Sequence, residues 1–159
     1  MNIYVQYIQT PVGLLEISAD DTSITSVYFA NEKTKKENPS SLTNLCATQL
    51  KDFFDGKRND FTLPLRPAGT TFQIQVWNEL QKIPFGRTIS YMELARRLGD
   101  EKKIRAAGTA NGRNPIPIII PCHRVIGSDG SLVGYGGGLD KKKWLLEFES
   151  GNKQAQLAL

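Results

Sequence analysis

The chain has 159 residues, of which 40% are hydrophobic and 23% charged, and it carries a formal net charge of +4. This composition excludes wholesale disorder, because disordered chains combine few apolar residues with a high net charge. No stretch of about 18 apolar residues is present, which excludes a transmembrane helix, and the first residues lack the pattern of a signal peptide. We therefore expect a cytoplasmic protein whose two cysteines, Cys46 and Cys122, stay reduced.

The first half of the chain predicts an antiparallel sheet followed by a helix. Three runs rich in β-branched and aromatic residues, within residues 2–30, are separated by turn sequences and indicate a meander of three short strands. From Leu42 to Phe53, apolar residues recur at helical spacing, and we interpret Cys46 on that stripe as an inert buried thiol. Residues 60–65 are a further candidate strand, and residues 66–70 predict the connection to a second domain.

The second half predicts a series of helices whose starts are well marked. Thr70 and Gln73 fit a capping box at the start of one helix, and Ser90 and Glu93 fit another. Two short helices joined by a glycine-containing turn then follow over residues 91–111, which is the pattern of a helix-turn-helix. We therefore predict an α+β protein. Its N-terminal α/β domain, with a small antiparallel sheet, spans residues 1–67, and its mainly helical C-terminal domain spans residues 68–159.

Positive charge coincides with the predicted helix-turn-helix. Seven basic and three acidic residues lie between Gly86 and Arg113, a surplus equal to the net charge of the whole chain. A concentration of this kind is typical of a phosphate-binding surface, although a solvated helical face gives the same count. Small residues lie on the side of the second helix that we predict to be exposed: Ala106, Thr109, Ala110 and Gly112. Small side chains at these positions let the helix approach a phosphodiester backbone closely. The alternative is that they pack against a neighbouring helix.

A proline-rich segment leads into the single histidine of the chain, His123, which directly follows Cys122. Two cysteines and one histidine are too few for a structural zinc site, which needs about four ligands, so we predict no metal. The prolines exclude a helix, and the run of isoleucines favours a buried extended segment. We expect this segment to end at Pro121 and to present Cys122 where the chain changes direction.

A nucleophilic role for Cys122 requires help from neighbouring groups. A thiol becomes a strong nucleophile near neutral pH when an imidazole or a cation lowers its pKa, and a carboxylate is then needed to orient the imidazole. Glu147 and Glu149 are both candidates for that carboxylate, and their spacing does not separate them. The structural alternative is a buried thiol beside a surface histidine.

Four stretches together resemble the O6-alkylguanine-DNA alkyltransferases, also called methylated-DNA–protein-cysteine methyltransferases. They are GTTFQIQVWNEL, FGRTISYMELARRLG, IRAAGTANGRNPIPIIIPCHRVIG and GYGGGLDKKKWLLEFE, and the similarity extends from about Gly69 to Glu149. The N-terminal third is similar only in its TPVG hairpin and its strand pattern. The resemblance implies a DNA repair protein that flips O6-alkylguanine out of duplex DNA and transfers the alkyl group, irreversibly and once per molecule, to its own cysteine.

The resemblance also implies roles for the catalytic residues. Cys122 matches the alkyl acceptor, and His123 matches the residue that deprotonates it through a water. Glu149, rather than Glu147, matches the carboxylate that orients the imidazole. Asn114 matches a hinge asparagine that braces the active-site segment, and Tyr135 matches a tyrosine that can donate a proton to the leaving base. The loop beside the pocket comprises Val133, Gly134, Tyr135, Gly136 and Gly137.

For DNA binding, the resemblance implies that Arg105 enters the duplex where the flipped base had been and that Tyr91 crowds the target phosphate. The second helix then lies in the minor groove with little sequence preference, and its remaining contact residues are Ala106, Thr109, Ala110, Gly112 and Arg113. A monomer without a cofactor is implied, since the damaged DNA itself is the alkyl donor.

The sequence departs from the family pattern in two places, and three other functions compete with that of an alkyltransferase. Some relatives carry an N-terminal zinc site whose ligands this chain lacks, and Gly136 stands where relatives often have serine. The rivals are a binding protein of the same fold that flips the base without transfer, a helix-turn-helix regulator with an incidental thiol, and a cysteine hydrolase. The presence of Cys122 argues against the first, and a single adjacent histidine argues against the last.

Overall fold

The computed structural model describes the backbone of residues 2–158 and the side chains of residues 2–151. The chain divides into two compact units between Ala68 and Gly69. The outer limits that we predicted for the two domains, residues 1 and 159, lie outside the described residues. Throughout the described residues, no helix has both the length and the apolar character that a membrane span requires.

The first unit is built on a three-stranded antiparallel sheet. Its strands are β1 (Tyr4–Thr10), β2 (Gly13–Ala19) and β3 (Ile24–Ala30), in the order β1-β2-β3. Gly13, with a φ of 105°, closes the tight turn between the first two strands, a conformation that glycine adopts without strain. The predicted meander of three short strands is confirmed.

Helix α1 (Ser41–Phe54) packs on β1 and β2 and closes the core of this unit. A capping box at Ser40 fixes its start, because Ser40 Oγ accepts from Thr43 N and Thr43 Oγ1 accepts from Ser40 N. Cys46 is fully buried on the apolar face, and its burial raises the pKa of the thiol to about 12. The prediction of an inert buried thiol agrees with this position.

The strand that we predicted over residues 60–65 is wrong. Ile24 N donates to Pro64 O at 2.8 Å, and Arg66 N donates to Ile24 O at 2.8 Å, so this segment forms only an isolated parallel bridge between Ile24 and Leu65. Pro64 has no N–H to donate, which prevents the ladder from continuing.

The second unit is mainly helical. It contains α2 (Thr71–Leu80), α3 (Tyr91–Arg97), α4 (Ile104–Gly112) and α5 (Leu139–Ala158), and a 3₁₀ turn at Glu101–Lys103 lies between α3 and α4. The predicted helix-turn-helix corresponds to α3 and α4. Within this unit, the buried Trp77 of α2 donates from Nε1 to the Ala110 carbonyl of α4 at 2.9 Å, which joins the two helices.

The helix starts follow the predicted capping signals with one exception. The capping box at Thr70 and Gln73 is complete. At Ser90 only half of the box forms, because Ser90 Oγ accepts from Glu93 N while the Glu93 carboxylate pairs with Arg97 at 3.1 Å. Gly99, with a φ of 95°, ends the turn after α3, where a side chain would be strained.

With a small sheet in one unit and helices in both, the α+β class is confirmed.

The buried segment before the cysteine is a turn, and the extended conformation that we predicted for it is wrong. Ile119 N donates to Pro117 O and Ile120 N donates to Ile116 O, and Ile118 has a φ of 72°. A β-branched residue is strained at positive φ, so the packing around it must hold the turn. Ile116, Ile118 and Ile120 are all fully buried, and their burial provides that packing.

Candidate active site

Cys122 begins a 3₁₀ turn, Cys122–Arg124, that directly follows the isoleucine turn. The short strand β5 (Val125–Ile126) comes next and pairs in parallel with β4 (Ile89–Ser90). Since β4 leads straight into α3, this pairing brings the start of α3 beside the cysteine turn. Because the 3₁₀ turn begins directly after Pro121, the chain changes direction there, as we predicted. Cys122 lies inside the unit, with 4% of its surface exposed.

Asn114 braces the backbone on which Cys122 sits. Its Nδ2 donates to the Ile120 carbonyl at 2.8 Å, and its Oδ1 accepts from Ile116 N at 2.9 Å. The amide thus ties both ends of the isoleucine turn together, two residues before the cysteine. This geometry is consistent with the bracing position expected for Asn114.

Burial raises the pKa of the Cys122 thiol to about 11, which is opposite to the lowered pKa that we expected from sequence. A hydrogen bond with the Asn114 side chain and the positive charge of Lys142 oppose this rise without cancelling it. The thiol is therefore protonated at neutral pH in the DNA-free protein, and any nucleophilic role requires a base to remove its proton.

Glu149 is the centre of a buried charged cluster that contains His123 and Arg124. His123 Nε2 lies 2.7 Å from Glu149 Oε2, and Arg124 donates through Nε to Oε1 at 2.8 Å and through Nη2 to Oε2 at 2.9 Å. The fourth contact of this carboxylate comes from Gly86 N, which donates to Oε1 at 3.3 Å. His123 is fully buried, which contradicts the alternative of a surface histidine.

The protonation states of this cluster follow from its hydrogen bonds. Burial alone raises the pKa of Glu149, but the hydrogen bonds from His123 and Arg124 outweigh burial and lower it to about 2. Burial lowers the pKa of His123, although Glu149 opposes that shift. A carboxylate can only accept, so the neutral imidazole carries its proton on Nε2 and presents Nδ1 as a base. Nδ1 has no hydrogen-bond partner among the described residues, Cys122 included.

Lys142 is a functional candidate that our sequence reasoning missed. It is fully buried, and its Nζ donates to the Val133 carbonyl at 2.9 Å and to the Tyr91 hydroxyl at 3.3 Å. Tyr91 in turn donates to the same carbonyl at 2.8 Å. One signal was available: Lys142, Leu145 and Glu149 recur at helical spacing along α5, so the three share its buried side.

Two tyrosines lie in the electrostatic field of Cys122. Burial is the main cause that raises the pKa of Tyr91 and that raises the pKa of Tyr135 well above its ordinary value, and the negative charge that Cys122 carries when it is ionised acts in the same direction. Both phenols are therefore protonated at neutral pH, and each can act as a hydrogen-bond donor. Val133, Gly134 and Gly136 are exposed on the loop that contains Tyr135.

The side of α4 that we predicted to face DNA is exposed with one exception. Ala110 is buried at 3% exposure, so its predicted place on the exposed face is wrong; its carbonyl receives the Trp77 indole N–H, which draws this position into the core. In the described structure, no hydrogen bond or ion pair joins Arg105 or Arg113 to the cysteine cluster. The exposed positions are Arg105, Ala106, Thr109, Gly112 and Arg113.

Both units match sequence profiles of one protein family. Residues 71–151 match the profile described as the DNA binding domain of 6-O-methylguanine DNA methyltransferase, and residues 3–67 match that of its ribonuclease-like domain. A methylated-DNA–protein-cysteine methyltransferase of Methanosarcina acetivorans is 42% identical over 153 residues, which cover 92% of this chain and 98% of that protein. A protein of the same name from Mycolicibacterium paratuberculosis is 40% identical over 158 residues, which cover 96% and 95%.

A solved structure agrees with these sequence matches. The crystal structure of Mycobacterium tuberculosis OGT in complex with DNA has 39% sequence identity and a TM-score of 0.86, and the match covers 93% of each chain. Profile matches over both units, relatives near 40% identity and this shared fold lead to one conclusion. The chain belongs to the methylated-DNA–protein-cysteine methyltransferase family.

Proposed function

We propose that this protein repairs DNA by transferring the alkyl group of O6-alkylguanine to the sulfur of Cys122. The observation that carries the proposal is the buried cysteine directly before His123, whose imidazole is held by the ionised Glu149. Family membership, and the DNA complex of the Mycobacterium tuberculosis relative, support DNA as the partner. We therefore expect the protein to act in a compartment that holds DNA and keeps thiols reduced.

The proposed transfer is a single displacement at the alkyl carbon. The Cys122 thiol loses its proton to His123 Nδ1 through a bridging water, and the sulfur attacks the alkyl carbon as the bond from that carbon to guanine O6 breaks. Glu149 stabilises the imidazolium that forms. The base leaves with the electron pair of the broken bond and takes up a proton, for which Tyr135 is the candidate donor. The thioether product is not hydrolysed, so each molecule acts once.

Access to the alkyl group requires the base to leave the helix, because a stacked guanine hides its O6 substituent. We assign to Arg105, exposed on α4, the role of filling the space that the flipped base leaves. Small exposed residues beside it, Ala106, Thr109 and Gly112, allow the helix to approach the minor groove, and Tyr91 at the start of α3 crowds the target phosphate. Arg113 adds a phosphate contact.

Peptide mass spectrometry tests the proposed transfer directly. The protein is incubated with a duplex oligonucleotide that contains O6-methylguanine, and we expect one methyl group per chain, on the peptide that contains Cys122. Cys122→Ser should abolish the adduct, whereas Cys46→Ser should leave it unchanged. Tight binding with the lesion intact would indicate a binding protein, and binding that ignores the lesion would indicate a regulator; either result contradicts the proposal.

The role of Arg105 has a separate test. Arg105→Ala should slow repair of a duplex much more than reaction with a free O6-alkylguanine base, since only the duplex requires the base to be flipped. Lys57→Ala, which removes one positive charge from the first unit, is the matched control and should leave the ratio of the two rates unchanged. Equal losses of Arg105→Ala on both substrates would contradict the base-replacement role.

A further inference from the structure

Arg124 is a buried arginine to which the proposed mechanism gives no role. It ends the 3₁₀ turn that begins with Cys122 and His123, and only 6% of it is exposed. Its Nη1 donates to the Ile83 carbonyl at 2.7 Å, while Nε and Nη2 both donate to Glu149. A guanidinium does not lose its proton in proteins. Arg124 therefore places a permanent positive charge inside the candidate active site.

Arg124 and His123 share one carboxylate. Glu149 Oε2 lies 2.7 Å from His123 Nε2 and accepts from Arg124 Nη2 at 2.9 Å, and the other oxygen, Oε1, accepts from Arg124 Nε at 2.8 Å. A carboxylate beside an imidazole favours the imidazolium, because opposite charges attract. Arg124 opposes that attraction, since its positive charge lies against the same two oxygens. The same carboxylate can thus orient the imidazole without holding a second proton on it.

The titratable and charged groups around the imidazole come from its own turn, from α5 and from the loop before α5: Cys122, Arg124, Lys142, Glu149 and Tyr135. Burial is the main cause that lowers the pKa of His123, and the positive charges of Arg124 and Lys142 act in the same direction. Glu149 alone opposes them. The Cys122 thiol and the Tyr135 phenol are uncharged at neutral pH, because burial raises the pKa of each.

Without Arg124, His123 and Glu149 would bind one additional proton as a coupled pair. If this proton is on the imidazole, Nδ1 carries it and is no longer a base. If it is on Glu149, the carboxylic acid donates to Nε2, and the single N–H of the neutral imidazole moves to Nδ1. Nδ1 is protonated in both cases, so it cannot accept the proton of Cys122.

We propose that Arg124 is a positioning residue for the base: by binding both oxygens of Glu149, it keeps the carboxylate an acceptor only and so keeps Nδ1 of His123 free for the Cys122 proton. The inference rests on the proposed function, in which His123 is that base. A purely structural ion pair would also hold α5 against the cysteine turn. It would leave the proton positions on the imidazole unchanged, and this difference can be measured.

Nitrogen NMR of the imidazole tests the inference in the DNA-free protein. His123 is the single histidine of the chain, so the two ring-nitrogen signals need no assignment to a residue. In the unsubstituted protein at pH 7, Nε2 should be protonated and Nδ1 unprotonated; a protonated Nδ1 would overturn the inference without any variant. Arg124→Met should protonate Nδ1 at pH 7. An Nδ1 that stays unprotonated in the folded variant would also overturn the inference.

The pH dependence of methyl transfer to Cys122 is the second readout. In the unsubstituted protein the rate should be nearly flat from pH 7 to 9, because the imidazole is already neutral. In Arg124→Met it should fall at pH 7 and rise by up to about tenfold per pH unit until the pair loses the additional proton. A rate that falls by the same factor at every pH would mean that Arg124 only supports the structure, which overturns the inference.

Three more variants complete the test. Arg124→Lys keeps the positive charge and should restore the unprotonated Nδ1 and the flat profile, and Arg124→Gln repeats both measurements if the methionine variant does not fold. Lys143→Met removes the cation of an exposed pair with Glu147 and should leave both readouts unchanged. If the unsubstituted protein transfers no methyl group, the proposed function itself fails, whereas the ring-nitrogen signals still report the effect of Arg124.

Discussion

In a Glu149→Gln variant, the Arg124 guanidinium stays buried but loses the carboxylate that neutralises it. The Arg124 side chain is 7% exposed, and two of its three hydrogen bonds, at 2.8 and 2.9 Å, end on Glu149; the third, at 2.7 Å, ends on the Ile83 carbonyl. Removing one partner of a buried ion pair costs about 3–5 kcal/mol, because the remaining charge is left uncompensated. We expect a loss of stability of that size at pH 7.

Glu147→Gln is the matched control on the same helix. Glu147 pairs with Lys143 at 3.9 Å, both side chains are about two-thirds exposed, and such pairs contribute roughly 0–1 kcal/mol. Urea unfolding followed by tryptophan fluorescence reports on the second unit, because Trp77 and Trp144 are the two tryptophans of the chain. A loss below about 1 kcal/mol in Glu149→Gln, or equal losses in the two variants, would refute the argument for a buried charge cluster.

The difference between the unsubstituted protein and Glu149→Gln should also depend on pH. The hydrogen bonds to Glu149 lower its pKa from its ordinary 4.5 to about 2. A lowered carboxyl pKa contributes stability that is present above the unfolded value and is lost as the pH falls through the folded one. The two proteins should therefore converge in stability between pH 4.5 and pH 2, whereas a constant difference across that window would contradict the ionised state of Glu149.

Three further predictions follow from individual contacts. Trp77→Phe removes the indole N–H that satisfies the Ala110 carbonyl at 2.9 Å and should destabilise the second unit by about 1–3 kcal/mol in urea unfolding. Gly69→Ala should cost a similar amount, about 1–3 kcal/mol, because its Cβ would lie 2.5 Å from the Trp77 ring. Lys142→Met removes a positive charge that lowers the pKa of Cys122, so reaction of the thiol with iodoacetamide should shift to higher pH; an unchanged profile would contradict that coupling.

Local signals in the sequence predicted the helices and strands well where local energetics decides them. The complete capping box at Thr70 and the αL glycine at Gly99 fix their helix ends through contacts within a few residues. The prediction failed where distant packing decides the conformation. Ile118 adopts a positive φ that no property of an isoleucine favours, and it does so inside a fully buried turn. The failure at Leu65 is of a different kind: the segment forms one bridge where a strand was expected, because Pro64 stops the ladder, and that proline is a local signal already present in the sequence.

The residues of the candidate site were likewise only partly predictable from the sequence. The residues alone indicated Cys122 and His123 as a possible pair, but they did not separate Glu147 from Glu149, since both follow Trp144 on one helix. The choice depends on which side of α5 is buried, and that side is set by the packing of the whole unit. Lys142 was missed for the same reason, because it is the middle member of a run of three lysines whose other members are not fully buried.

The direction in which the pKa of Cys122 is shifted could not be predicted from the sequence, and it leads to a last prediction. A neighbouring histidine suggests a lowered pKa, yet burial raises it to about 11. A thiol with that pKa is about 10⁻⁴ ionised at pH 7, so its reaction with iodoacetamide should rise about tenfold per pH unit between pH 7 and 9, because only the thiolate reacts. The His123 pKa is lowered from 6.5, so the imidazole is already a neutral base throughout that range.

Transfer from O6-methylguanine DNA should therefore have a different pH profile from reaction with iodoacetamide. If His123 removes the thiol proton during the transfer, the rate rises as the imidazole loses its own proton below pH 6.5 and is nearly flat from pH 7 to 9. Rates of both reactions, measured on the same protein by mass spectrometry of the Cys122 peptide, make the comparison. Parallel profiles would mean that the two reactions share one pre-ionised thiolate, and His123 would then have no role as the base. A flat transfer profile beside a steep iodoacetamide profile requires a base that acts only when substrate is bound, and the Nδ1 of a Glu149-held imidazole meets that requirement.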